Sequence, residues 1–136
     1  MRIGIVIYNL LKNDSNVNAI TTQIFPGVVP ASVSAQAVPA ITYNVKNTNH
    51  LQTKTVANDT NFANVQISVF HKSYNTVQNL ADVITTALNG ANGTITVSGT
   101  DYKYKNIRIE EREDVGFDED NNVFMVALNF FVQMYN

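Results

Sequence analysis

The apolar residues of this chain change their spacing several times, and each change predicts an element. Ile3, Val6, Ile7, Leu10 and Leu11 recur at three- and four-residue steps, so residues 2–12 read as a short amphipathic helix. Asn13-Asp14-Ser15 breaks that pattern and leaves room for a further turn of helix around Val17–Thr22. IFPGVVP (24–30) holds two prolines and a glycine, which predicts a short edge strand running into a loop. ASVSAQAV (31–38) carries no buried periodicity and reads as a mobile surface loop.

Beyond Pro39 the period shortens to two. AITYNV (40–45) predicts a strand that starts just after a proline, and the polar segment 47–61 can extend it and turn back. In FANVQISVFH (62–71), Val65, Ile67 and Val69 point one way and Asn64, Gln66 and Ser68 the other. The helical period then returns: Val77, Leu80, Ala81, Ile84, Ala87 and Leu88 define a helix over 75–88. Ser73 or Asn75 can cap its start, Asn75 with Gln78 as a capping-box pair, and Asn89-Gly90 closes it. ITV (95–97) is a short strand and SGTDY (98–102) a turn. Residues 103–113 place Ile107 and Ile109 on one face, with Arg108, Glu110 and Arg112 on the other. Residues 123–135 place Phe124, Val126, Leu128, Phe130, Val132 and Met134 together, and the opposite face is half apolar. With no internal repeat or linker, residues 1–136 form one α+β domain. Its expected architecture is a mostly antiparallel sheet of four to five strands, with two helices on one face and a long C-terminal β-hairpin.

Composition narrows the class. Hydrophobic content of 45% with 15% charged residues is too apolar for a disordered chain. A net charge of −2 and a pI near 5.5 argue against a protein that grips nucleic-acid phosphates. The absence of cysteine excludes disulfide and thiolate chemistry. MRIGIVIYNLL has one basic residue before its apolar core, and KNDSNVN stands where a cleavage site would be, so no signal peptide is expected. No run approaches the ~20 apolar residues of a membrane span, and a soluble chain without membrane partners is expected.

The candidate chemistry concentrates in EEREDVGFDEDNN (110–122), which holds seven of the eleven acidic residues. DED at 118–120 opens like a calcium loop, but counting from Asp118 puts Val123 and Asn129 where a glycine and a glutamate are required. A carboxylate pair doing acid–base work needs a pocket that perturbs it. Between two alternating strands, with Gly116 and Asn121-Asn122 marking a solvated turn, the run reads as a hairpin tip. His50 and His71 have no partners at metal-ligand spacing, and no nucleophile elbow, phosphate loop or HExxH occurs. Phe130, Phe131 and Tyr135 put rings on both faces of the last strand, which either the monomer or a neighbouring subunit must cover. From residues alone three classes stay open: a structural ring protein, a small metal-dependent hydrolase using the 110–120 carboxylates, and a monomeric ligand-binding module with loop 27–39 as a lid.

The order of these segments resembles the tail terminator (tail completion) proteins of long-tailed bacteriophages, which also appear in gene transfer agents. The resemblance runs through IYNLLKND (7–14), IFPGVVP (24–30), VPAITYNV (38–45), FANVQISVFHKSYNTVQNLADVITTALNG (62–90), NIRIEERED (106–114) and NVFMVALNFFVQMY (122–135). Phe70-His71 stand where that family usually carries a tryptophan. The resemblance implies a non-enzymatic structural virion protein without cofactor or metal. It implies a homo-hexameric ring at the head-proximal end of the tail tube, assembled in the host cytoplasm, which ends tube polymerisation and joins tail to head. Its partners would be itself, the tail tube protein and a head–neck connector protein, with DNA passing through the lumen as cargo; another neck or portal-adjacent connector ring is the alternative. Glu110, Glu111, Glu113, Asp114, Phe117, Asp118, Glu119 and Asp120 would then face the lumen or a neighbouring subunit.

Overall fold

The computed structural model describes residues 3–51 and 60–135. Three helices, α1 (Ile3–Asn13), α2 (Ser15–Ile20) and α3 (Tyr74–Leu88), accompany six strands. The strands are β1 (Ile24–Pro26), β2 (Ala40–Leu51), β3 (Thr60–His71), β4 (Gly93–Val97), β5 (Thr100–Asp118) and β6 (Val123–Tyr135). They form one sheet in the order β1-β2-β3-β6-β5-β4. The expectation of four to five strands and two helices was therefore too low. β1 escapes a periodicity argument because it is three residues long, and β2 pairs with it in parallel. The other four pairings are antiparallel.

Local chemistry explains the helix boundaries. Asp14, which sequence alone marked as a break, is the N-cap of α2 and accepts from the backbone N–H groups of Asn16 and Val17, both at 3.0 Å. Ser73 rather than Asn75 caps α3 by accepting from Thr76 N–H. Gly90, at φ 83°, takes the left-handed turn that ends it. Both long helices lie on one face of the sheet. Val6, Ile7 and Leu11 of α1 and Val77, Leu80, Ala81, Ile84 and Leu88 of α3 pack over Val65, Ile67, Val69, Val126, Leu128, Phe130 and Val132. Phe130 and Leu128, fully buried on the central strand β6, sit in the middle of this core. Residues 52–59 of the expected 47–61 segment, and the side chains of His50 and Tyr135, lie outside the described residues.

The opposite face is covered by loop 27–39 over part of its area only. That loop folds back on itself, with turns closed by Val33 N–H to Pro30 O and Ala37 N–H to Ser34 O. Gln36 donates to the carbonyl of Asn121 at 2.8 Å, and His71 donates through Nδ1–H to the carbonyl of Ala35 at 2.9 Å. Because a carbonyl only accepts, this contact fixes the tautomer of a buried histidine that sequence placed at a strand end.

β5 departs most from its expected form. It starts at Thr100, inside the expected 98–102 turn, and runs on to Asp118, past the expected end at 113. Its register against β6 slips three times, between Lys105 and Arg108, Ile109 and Glu111, and Asp114 and Gly116. Each slip is a bulge that adds one residue to β5 and resets the alternation. Asn106 at φ 55° and Gly116 at φ 102° are residues that accept such backbone. Ile107 and Ile109 keep to the helix side as expected, but the second bulge turns Arg112 to that side as well, opposite Leu128. The expectation that Arg112 shares a face with Arg108 is overturned.

Candidate functional site

The acidic run is mostly strand rather than tip. Only residues 119–122 form the turn, and Glu110 to Asp118 belong to β5. The bulges sort the eight expected site residues into separate groups. Glu111, Glu113 and Asp118 pair with Asn129, Ala127 and Val123, so they lie on the face away from the helices. Asp114 pairs with Val126 and Phe117 with Phe124, which places both on the helix side. Glu110 occupies a bulge, and Glu119 and Asp120 project from the turn.

On the helix side the charges are spent locally. Arg112 donates to Asp82 Oδ1 and to Gln78 Oε1 at 2.5 Å each, and Gln78 donates to Asp114 Oδ1 at 3.0 Å. This chain ties the middle of β5 to α3. Beyond it, Phe117 meets Phe124 edge-on at 5.0 Å between ring centroids, and Phe124 meets Tyr74 at 5.4 Å. Phe117 and Tyr74 keep about half of their surface exposed, at 48% and 49%.

At the turn, Asp118 accepts from Asp120 N–H at 3.0 Å and from the side-chain amide of Asn121 at 2.7 Å. The Asn121 donation first, and the backbone N–H groups of Asp120 and Asn121 with it, hold the Asp118 carboxyl below the usual aspartate range, against an opposing contribution from desolvation. A groove of about 640 Å³ separates this turn from loop 27–36, lined by Val28, Val29, Pro30, Val33, Phe70 and Val123 with Asp118 and Asp120 at its rim. Among the described residues no cluster of three or more His, Cys, Asp or Glu side chains is placed to hold a metal ion. Likewise no helix among them is long and apolar enough to cross a membrane.

The outer edge of β5 carries a further feature that sequence reading missed. β4 pairs only with Thr100 to Tyr104. The end of α3 then serves the edge: Gly90 N–H donates to Ile107 O at 2.6 Å, and Ile109 N–H donates to the side-chain oxygen of Asn89 at 3.0 Å. From Glu110 to Asp118 that edge has no strand partner among the described residues. Carboxylates and a glycine bulge on an unpaired edge discourage stray strand pairing, which gives the acidic run a physical purpose even in the monomer.

A family model described as "Tail completion protein gp17" matches residues 6–132. The chain belongs to this family. It is thus a structural protein of a bacteriophage tail, which agrees with the resemblance read from its segment order. A solved chain titled "Virion of native gene transfer agent (GTA) particle" superposes with a TM-score of 0.68 at 14% identity, covering 96% of this chain and 92% of that one. At that identity the likeness concerns the fold. No curated protein sequence matches the chain at a significant level. At its described surface this tail completion protein therefore carries a sheet face only partly covered by loop 27–39, an acidic strand edge and a half-exposed aromatic cluster.

Proposed function

We propose that residues 1–136 act as one domain, six copies of which close into a ring at the head-proximal end of the tail tube. The ring stops tube polymerisation and offers its other side to a head–neck connector protein, with DNA passing through the opening. Family membership across residues 6–132 is the observation that carries this reading. The structure is compatible with it, because the sheet face away from the helices is only partly covered by loop 27–39 and offers area for a neighbour. The protein works at the neck of the virion after assembly in the host cytoplasm, as a scaffold rather than an enzyme. The eight residues of the acidic run serve the lumen or a subunit contact. Carboxylates near a lumen repel phosphate and let DNA slide, and the sign of the run suits that task.

Native mass spectrometry of the purified chain, paired with electron microscopy of tail-tube protein polymerised with and without it, tests the proposal. A six-copy ring that halts tube growth at one end is expected. A chain that stays monomeric at high concentration and leaves tube length unchanged would overturn it. A ring that binds the connector but ignores the tube would instead place the protein nearer the portal.

A further inference from the structure

The groove between loop 27–36 and the turn after β5 is apolar inside and acidic at its rim. Val29, Pro30 and Val33 line it from the loop, and Thr42, Phe70 and Val123 from the sheet. Val28, also in the lining, leaves 75% of its surface to solvent, so apolar area there is still to be covered. The volume of about 640 Å³ lies within the ~300–1,000 Å³ of clefts that enclose a ligand. Two hydrogen bonds fix its shape, one from the Gln36 amide to the Asn121 carbonyl and one from His71 to the Ala35 carbonyl. A cleft braced in this way loses little freedom when it is filled.

Two polar features restrict what fits. Asp118 and Asp120 stand at the rim, and no Lys or Arg side chain lines the groove. Asp118 accepts from Asp120 N–H on Oδ1 and from the Asn121 amide on Oδ2, and each oxygen keeps a lone pair for a further donor. Thr42 is 6% exposed, and its hydroxyl has no hydrogen-bond partner among the described residues. A buried hydroxyl without a partner is costly, and a polar group arriving in the groove relieves that cost. A phosphate-bearing ligand fits poorly, because both rim charges share its sign.

We infer that this groove receives an extended segment of another protein, whose apolar side chain enters between loop 27–36 and the sheet while a neighbouring lysine or arginine reaches Asp118 and Asp120. The inference goes beyond the ring and holds whether or not copies of the chain close into one. Charge complementarity selects the occupant. The cation answers two carboxylates that no side chain of the groove neutralises, and its aliphatic stem extends the apolar contact. A peptide also brings backbone N–H and C=O groups, either of which can pair with the Thr42 hydroxyl.

Capture of a defined probe tests the assignment. The probe is the acetylated and amidated peptide Gly-Lys-photoleucine-Lys-Gly, whose diazirine side chain cross-links on irradiation to whatever surrounds it. With the full chain, mass spectrometry of the digest is expected to place the cross-links within residues 27–36 and at Phe70 and Val123. A probe with glutamine for both lysines is expected to be captured about two- to tenfold less, the range set by exposed ion pairs. In a variant carrying Asp118→Asn with Asp120→Asn, capture of the lysine probe is expected to fall to that of the glutamine probe, which itself stays unchanged. Val28→Ser is expected to weaken capture of both. Thr42→Val removes the unpartnered hydroxyl at nearly constant shape, so the melting temperature is expected to hold or rise while capture falls. Circular dichroism of each variant separates loss of capture from loss of fold. If Thr42→Val fails to fold, the exposed Val28→Ser and the rim variant carry the test. Cross-links scattered over the surface, or equal capture of both probes by every folded variant, would overturn the inference. Competition by a short oligodeoxythymidine would overturn it in favour of a nucleic acid. Protection of the groove as the concentration of the chain itself rises would overturn it in favour of a second copy.

Discussion

Arg112 and Asp118 illustrate how differently carboxylate partnerships act within one acidic run. Arg112 bridges Asp82 and Gln78, yet its side chain is 31% exposed and that of Asp82 66%. Solvent screens such a pair strongly, so a double-mutant cycle of Arg112→Ala and Asp82→Ala is expected to give a coupling of about 0.2–1 kcal/mol in urea unfolding. A larger value would mean that the pair anchors β5 to α3 more firmly than its exposure implies. Asp118 is read by titration instead. Its carboxyl is held low in the folded chain by the Asn121 amide, so its contribution to stability is present above the unfolded value of ~3.9 and is lost as pH falls through the lower folded value. Carbon-detected NMR of the side-chain carboxyl is expected to place its midpoint below ~3.9, and the substitution Asn121→Ala to move it upward. A midpoint unmoved by that substitution would remove the hydrogen-bond explanation.

Among elements, legibility followed length and regularity. α3 and β6 were readable because long runs of single periodicity dominate them, and their boundaries moved by a residue or less. β1 was too short to be distinguished from the loop after it except by its prolines, and its parallel pairing with β2 is a tertiary matter that no local pattern encodes. β5 was legible in its first half only. Alternation read across a bulge assigns every later side chain to the wrong face, which is why Arg112 was misplaced while Ile107 and Ile109 were not. The acidic residues were found as a group, but the division of that group between two faces could not be seen without the register. Gly116 is the one element-scale signal present in the sequence. A Cβ there would meet nothing within 4 Å, so only the backbone angle resists substitution. Gly116→Ala is expected to cost about 1–2 kcal/mol in thermal or urea unfolding, the usual penalty of an L residue in left-handed space. A neutral result would mean that the strand relaxes into another register.

For the molecule as a whole, the core lies on the helix side of the sheet and the turn after β5 stands clear of it, so the two are separable by mutation. Replacing Asp118, Glu119 and Asp120 together by Asn, Gln and Asn changes the last residue of β5 and the first two of the turn that follows, away from the core. Its melting temperature is expected to match that of the unaltered chain in differential scanning calorimetry, because a side-chain amide at position 118 would still offer an acceptor to the N–H of residue 120. A large drop would reveal that the turn nucleates the sheet rather than decorating it. The same separation explains why function was legible mainly through resemblance. Packing and turn patterns specify this fold, and a structural tail protein needs no residue whose chemistry announces its task.

The bulge at Asn106 makes β5 uneven in what it can tolerate over evolutionary time. The extra residue there stands outside the alternation, so loss of that single codon would straighten the strand and still leave Arg108 opposite Phe131 and Ile109 opposite Phe130. One codon gained or lost in a regularly paired stretch would instead turn the side chains beyond it to the other face, unless a bulge moved to absorb it. Changes in the length of this strand among viable relatives should therefore gather at its bulges.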